Sequence, residues 1–130
     1  MIMLIVAADD DPGVRSLFVA ELTLAGHTVV EADDGLAALS AIERVSPDAV
    51  VLDVMMPELD GWALLTRLRA DERFRDLPVV LVSARCVGDD VRHGYELGAS
   101  AVLPKPYSGQ QLCEVLSALV LARQQARQSV

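Results

Sequence analysis

Aromatic side chains are scarce in this chain, at 4% of 130 residues, so a core built on stacked rings is excluded. Packing falls instead to Val, Leu, Ile and Ala within a hydrophobic fraction of 52%. That aliphatic bias suits buried parallel strands better than an aromatic-rich β sandwich. Cysteine is nearly missing: Cys86 and Cys113 stand far apart without a Cys-x-x-Cys pattern, and read as free thiols in a reduced compartment. Basic residues are outnumbered, 11 Lys and Arg against 19 Asp and Glu, for a formal net charge of −8. A surface of that sign repels phosphates, so no direct nucleic-acid binding is expected of this domain. Neither Gly-x-Gly-x-x-Gly nor a P-loop occurs, which removes the usual nucleotide-binding readings. Internal repeats and low-complexity segments are lacking too. The one apolar lead, Met1 to Ala8, has no basic residue before it and runs into Asp9-Asp10-Asp11. A signal peptide or membrane span is therefore not expected, and a cytoplasmic protein is.

What is present is an alternation. Leu4 to Ala8 is too short for a helix and ends on three aspartates, as a buried strand would. Pro12 then sits where a first helical turn tolerates it, with Asp11 placed to cap. Val14, Leu17, Phe18, Leu22 and Ala25 follow at helical spacing up to Gly26. The same grammar recurs with strands at Thr28 to Ala32, Ala49 to Leu52, Val79 to Val82 and Ala101 to Leu103. Helices are expected around Ala38 to Val45, Leu64 to Leu68, Val91 to Tyr95, and from Ser108 through Leu119. Five strands alternating with five helices predict an α/β, flavodoxin-like doubly wound fold, a (βα)5 unit. Its five-stranded parallel sheet takes the order 2-1-3-4-5. One domain is expected over residues 1–122, with 123–130 a polar helix end or linker.

In such a sheet, ligands bind beyond the carboxyl ends of the strands, where the strand order reverses. Strand one ends in Asp9-Asp10, strand three in Asp53, strand four in Ser83-Ala84, and Lys105 follows strand five. Neighbouring strands lie about 4.8 Å apart, so these groups converge on one patch. Three carboxylates there would raise one another's pKa unless a cation restored the balance. No His or Cys cluster competes, and a hard divalent ion, Mg²⁺, is the natural partner of carboxylates, water and phosphate. Lys105 adds a mobile positive charge and Ser83 a hydroxyl donor, both suited to a phosphoryl group.

Taken in order, Asp9-Asp10, Asp53-Val54-Met55-Met56-Pro57, Asp60-Gly61, Ser83-Ala84 and Lys105-Pro106 resemble the receiver domain of two-component response regulators. The resemblance covers nearly the whole chain, from Leu4 into the final helix. It implies that Asp53 is the phosphoacceptor, attacking phosphorus as a carboxylate nucleophile. By the same resemblance Asp10 ligates Mg²⁺ directly, Asp9 does so through water, and Met55 offers only its backbone carbonyl. Ser83-Ala84 and Lys105 are implied to bind phosphate oxygens and report phosphorylation outward, and the Lys105-Pro106 bond to be cis. The implied donor is a histidine kinase or phosphotransfer protein, or slowly a small acyl phosphate. The implied recipient is a downstream protein or fused output domain, reached through a helix-four, strand-five, helix-five face that could also carry a homodimer. Nothing here is an enzyme beyond Mg²⁺-dependent self-phosphorylation and autodephosphorylation.

Two features depart from the family pattern. Val102 stands where an aromatic is usual, so transmission through that position is altered. Arg85, with Met55, is placed at the mouth of the site to shield the phosphoryl group, which the half-lives of Met55→Asn and Arg85→Ala proteins would test. Val102 keeps an alternative open, a degenerate receiver acting as a phosphorylation-independent interaction module. An aspartate-nucleophile phosphatase fits less well, since those enzymes place Asp-x-Asp after the first strand and here that strand ends in Asp9-Asp10. Trp62 and Tyr107 read as packing residues, and His27 and His93 as surface ones.

Overall fold

The computed structural model describes residues 1–84, 88–105 and 107–128. Arg85, and the Lys105-Pro106 bond through Pro106, lie outside the described residues. The elements run β1 Leu4–Ala8, α1 Pro12–Leu24, β2 Thr28–Ala32, α2 Gly35–Val45, β3 Ala49–Asp53 and α3 Gly61–Ala70. A short 3-10 turn at Glu72–Phe74 follows, then β4 Val79–Ser83, α4 Gly88–Glu96, β5 Ala101–Pro104 and α5 Gly109–Gln128. The five strands form one sheet in the order β2-β1-β3-β4-β5, as expected from the sequence, with every pairing parallel.

Local chemistry starts each helix where it does. The Asp11 carboxylate accepts from the N–H groups of Gly13 and Val14 at 2.8 and 3.2 Å, and Pro12 occupies the first turn. Asp34 and Asp60 accept from Ala37 and Ala63 at 2.7 and 2.8 Å, and the Ser108 hydroxyl accepts from Gln111 at 3.0 Å. Each cap satisfies donors that the first helical turn cannot pair internally. Side-chain alternation along the strands splits the core in two. Val6, Ala8, Val50, Leu52 and Leu81 point to one face, with Ile42, Leu64, Leu65 and Leu68 of α2 and α3. Ile5, Val51, Val80 and Val82 point to the other, with Phe18 and Leu22 of α1 and Leu112, Leu116 and Val120 of α5. Burial on both faces explains why β3 and β4 are unbroken apolar runs up to their last residue.

Three apolar positions placed on helical apolar stripes lie outside the core. Leu17 is 59% exposed, Tyr95 51% exposed, and Ala25, at the end of α1, is exposed as well. On α4 the buried residue is Gly94, because the helix axis comes so close to β5 that no side chain fits between them. Trp62 is half-buried and meets the His93 ring edge-on at 4.7 Å, and Tyr107 stacks on Phe18 at 5.6 Å. His27 is partly buried, its Nδ1 accepting the Met3 N–H at 3.1 Å. Helix α5 continues unbroken to Gln128. Among the described residues, no helix is long and apolar enough to cross a membrane.

Candidate functional site

The carboxyl ends of β1 and β3 are adjacent, with Ala8 in register with Leu52, so Asp9 and Asp53 emerge side by side. One carboxylate oxygen from each of Asp9, Asp10 and Asp53 falls within a group spanning 4.8 Å. Asp9 is fully buried, Asp53 is 6% exposed, and Asp10 faces solvent. Burying carboxylates costs free energy unless a cation or donors compensate. Part of the compensation is Lys105, whose N–H donates to Ser83 O at 2.9 Å, setting it above the end of β4. From there its Nζ reaches 3.1 Å from Asp9 Oδ2 and 3.5 Å from Asp53 Oδ1. One ammonium cannot neutralise three carboxylates, and the remaining negative charge on hard oxygen donors is the chemistry of a divalent metal site. The residues fit such an ion.

The Asp53 carboxyl is pushed above the ordinary range by burial first and the Asp9 charge second. Lys105 and the Met55 backbone N–H pull it part of the way back. Asp9 is fixed from below: its Oδ1 accepts the Asp11 N–H at 2.9 Å, and its carbonyl accepts from Arg15 Nη1 at 2.8 Å. The loop after β3 folds back through Val54 N–H to Val82 O at 3.1 Å and Gly61 N–H to Val54 O at 2.9 Å. Gly61 permits that closure, since a Cβ there would lie 2.6 Å from Asp53 O and 2.9 Å from Val54 Cα.

Asp9, Asp10, Asp53 and Lys105, read from the sequence as one patch, are brought together. Ser83 is buried at the end of β4, in register with Pro104, and Ala84 is exposed beside it. Met55 carries its thioether outward, 60% exposed, while its N–H faces Asp53. Val102 is buried on β5 beneath α4 rather than at the patch. Sequence reasoning missed Arg15 and the Met55 N–H. Arg15 left one signal, a cation one helical turn beyond the capping aspartate. Tyr107, read as a packing residue, does pack against Phe18, and its hydroxyl is buried without a partner among the described residues. Burial, with Glu21, Asp9 and Asp53 adding to it, drives that phenol far above its usual pKa.

Comparison with known proteins gives one consistent result. The model of the response regulator receiver domain matches residues 5–117. Response regulator MprA of Mycobacterium leprae is 40% identical over 118 residues, covering 91% of this chain and 51% of that protein. The DNA-binding dual master transcriptional regulator RpaA of Synechocystis is 34% identical over 116 residues, 89% of this chain and 48% of that protein. Among solved structures, the receiver domain of the Francisella response regulator 1452 superposes with a TM-score of 0.88 at 30% identity. That match covers 93% of this chain and 98% of the other. NtrX of Brucella abortus gives 0.91 at 28% identity, covering 99% of this chain but 29% of NtrX. The chain spans about half the length of the relatives it matches by sequence.

Proposed function

This chain belongs to the response regulator receiver domain family, and we propose that Asp53 is the side chain on which it is phosphorylated. The observation that carries the assignment is the convergence of Asp9, Asp10 and Asp53 beneath the Lys105 ammonium. A carboxylate oxygen of Asp53 forms the new bond to phosphorus, and the bond from phosphorus to the donor breaks with its electron pair leaving on the donor. In a histidine kinase or phosphotransfer protein that leaving atom is an imidazole nitrogen. Lys105 is positioned to take a phosphoryl oxygen, exchanging a carboxylate partner for a more highly charged one. The Ser83 hydroxyl, at the end of the neighbouring strand, donates to another. Mg²⁺, bound by Asp9, Asp10, Asp53 and the Met55 carbonyl, would supply the remaining positive charge that phosphoryl transfer requires. The modified carboxyl then biases the face built from α4, β5 and α5 toward a second arrangement, read by a downstream protein or a fused output domain in the cytoplasm.

The test is direct. Incubation with acetyl phosphate and Mg²⁺ should add the mass of one phosphoryl group to the intact protein. Asp53→Asn should abolish the adduct and EDTA prevent it. An adduct retained by Asp53→Asn would move the acceptor elsewhere, and none in wild type would leave the degenerate reading.

A further inference from the structure

Asp9 and Asp10 are neighbours in the chain and are held in different ways. Asp9 is fully buried, and its N–H donates to Ala32 O at 3.2 Å. Its Oδ1 accepts the Asp11 N–H at 2.9 Å, and its carbonyl accepts from Arg15 Nη1 at 2.8 Å. Asp10 is exposed, and among the described residues its carboxylate has no hydrogen-bond or ion-pair partner. Yet one of its oxygens falls within the 4.8 Å group formed with Asp9 and Asp53. Like charges repel, so an unrestrained Asp10 would swing out into water. Its restraint has to act through the main chain.

The Asp9 carbonyl belongs to the peptide that joins the two aspartates. That peptide is planar, so fixing its oxygen sets the direction in which the Asp10 Cα departs. Arg15 on α1 does the fixing. Its side chain is only 19% exposed, and its Nε donates to Glu31 Oε1 at 3.3 Å while Nη1 reaches the Asp9 carbonyl. Glu31 stands on β2 in register with Ala7 of β1, so the guanidinium is braced from the neighbouring strand. A plain reading makes Arg15 a bridge that ties α1 to β1 and β2. The ion pair with Glu31 needs no more than that, since this acid is half exposed and such pairs are worth little. The donor on the Asp9 carbonyl is different, because it grips the one main-chain oxygen between two carboxylates of the cluster.

We propose that Arg15 is a positioning residue for the divalent-cation site, holding the Asp9–Asp10 peptide so that Asp10 faces Asp9 and Asp53 before an ion binds. The inference rests on the metal site of the proposed function. Groups that orient metal ligands are worth about 10–100-fold in metal affinity. Charge alone predicts the opposite sign. A guanidinium close to the site repels a cation, so its removal would tighten binding if Arg15 acted only through its charge.

The experiment titrates ¹⁵N-labelled protein with MgCl₂ at constant ionic strength and follows the amide signals of Asp10 and Asp53. A saturable shift in wild type, lost in Asp10→Asn, gives the Kd. Arg15→Met should weaken binding about tenfold. Arg15→Lys keeps the charge but replaces the two-armed fork with a single ammonium, and should fall between the two. Unchanged or tighter binding in Arg15→Met would overturn the proposal. Wild-type affinity in Arg15→Lys would do so too, which keeps the test decisive should the methionine variant not fold. No saturable shift in wild type, or one that Asp10→Asn retains in full, would instead overturn the metal site itself and this inference with it.

Discussion

Asp53 sits where its ionised form is least comfortable and most useful. Burial and Asp9 raise its pKa, and Lys105 only partly offsets them. For a carboxyl whose folded pKa exceeds its unfolded one, the unfolded chain ionises first as pH rises. The group's favourable contribution is therefore complete below the unfolded pKa and is lost as pH climbs through the folded one. Without metal, wild type should fall behind Asp53→Asn in stability as pH rises through and above the carboxylate range, and the gap should close again in acid. A domain of this size gains about 3–5 °C in Tm per kcal/mol relieved, so thermal melts in EDTA across pH would resolve the difference. A gap independent of pH, or an Asn variant less stable at neutral pH, would refute this account of the Asp53 environment. The acidic residues were legible because each terminates an apolar run, and Lys105 because it follows the last one. Arg15 and the Met55 N–H were not, since both act through the main chain, whose contacts leave no pattern in side-chain identity.

Among the elements, α4 is the least firmly seated. Its buried residue is a glycine, and Val91 and Leu97, within it and just beyond its end, are only partly covered. It rests on β5 through Gly94, where a Cβ would lie 2.8 Å from Val102 Cγ2 and 3.4 Å from Trp62 Cζ3. The Tyr95 hydroxyl accepts the Val102 N–H at 3.3 Å, covering part of the edge strand, and His93 meets Trp62. Periodicity placed the helix but not its facing, because a close approach through glycine removes the apolar stripe by which a facing is read. Helices held by so few apolar contacts are the ones that move at low cost. Gly94→Ala should push α4 outward, costing about 1–3 kcal/mol in overpacking and altering the environment of Trp62, the sole tryptophan. Its fluorescence is the measurement. A lowered Tm with an unshifted Trp62 emission would show that α4 does not ride on Val102 in this way.

Across the whole molecule the charge is arranged as two poles on one parallel sheet. Carboxylates crowd the end where the strands finish, and arginines gather where they begin. The alternation of strand and helix fixed that geometry in advance for the acidic pole, since all five strands run the same way and must release their terminal residues together. The basic pole was not foreseeable, because Arg69, Arg123 and Arg127 are distant in sequence and sit on ordinary helical positions. With a net charge of −8, any salt should stabilise the fold somewhat by screening. Mg²⁺ should do more, because an ion bound only by the folded chain adds stability in proportion to the logarithm of its concentration. At a hundredfold excess over its Kd the gain is about 2.7 kcal/mol, or roughly 10 °C in Tm. Asp10 is exposed, so Asp10→Asn should fold, keep the response to NaCl, and lose most of the response to MgCl₂ at matched ionic strength. If Asp10→Asn and wild type rise equally with MgCl₂, the ion is acting on the general charge of the molecule, and Asp9, Asp10 and Asp53 are not its site.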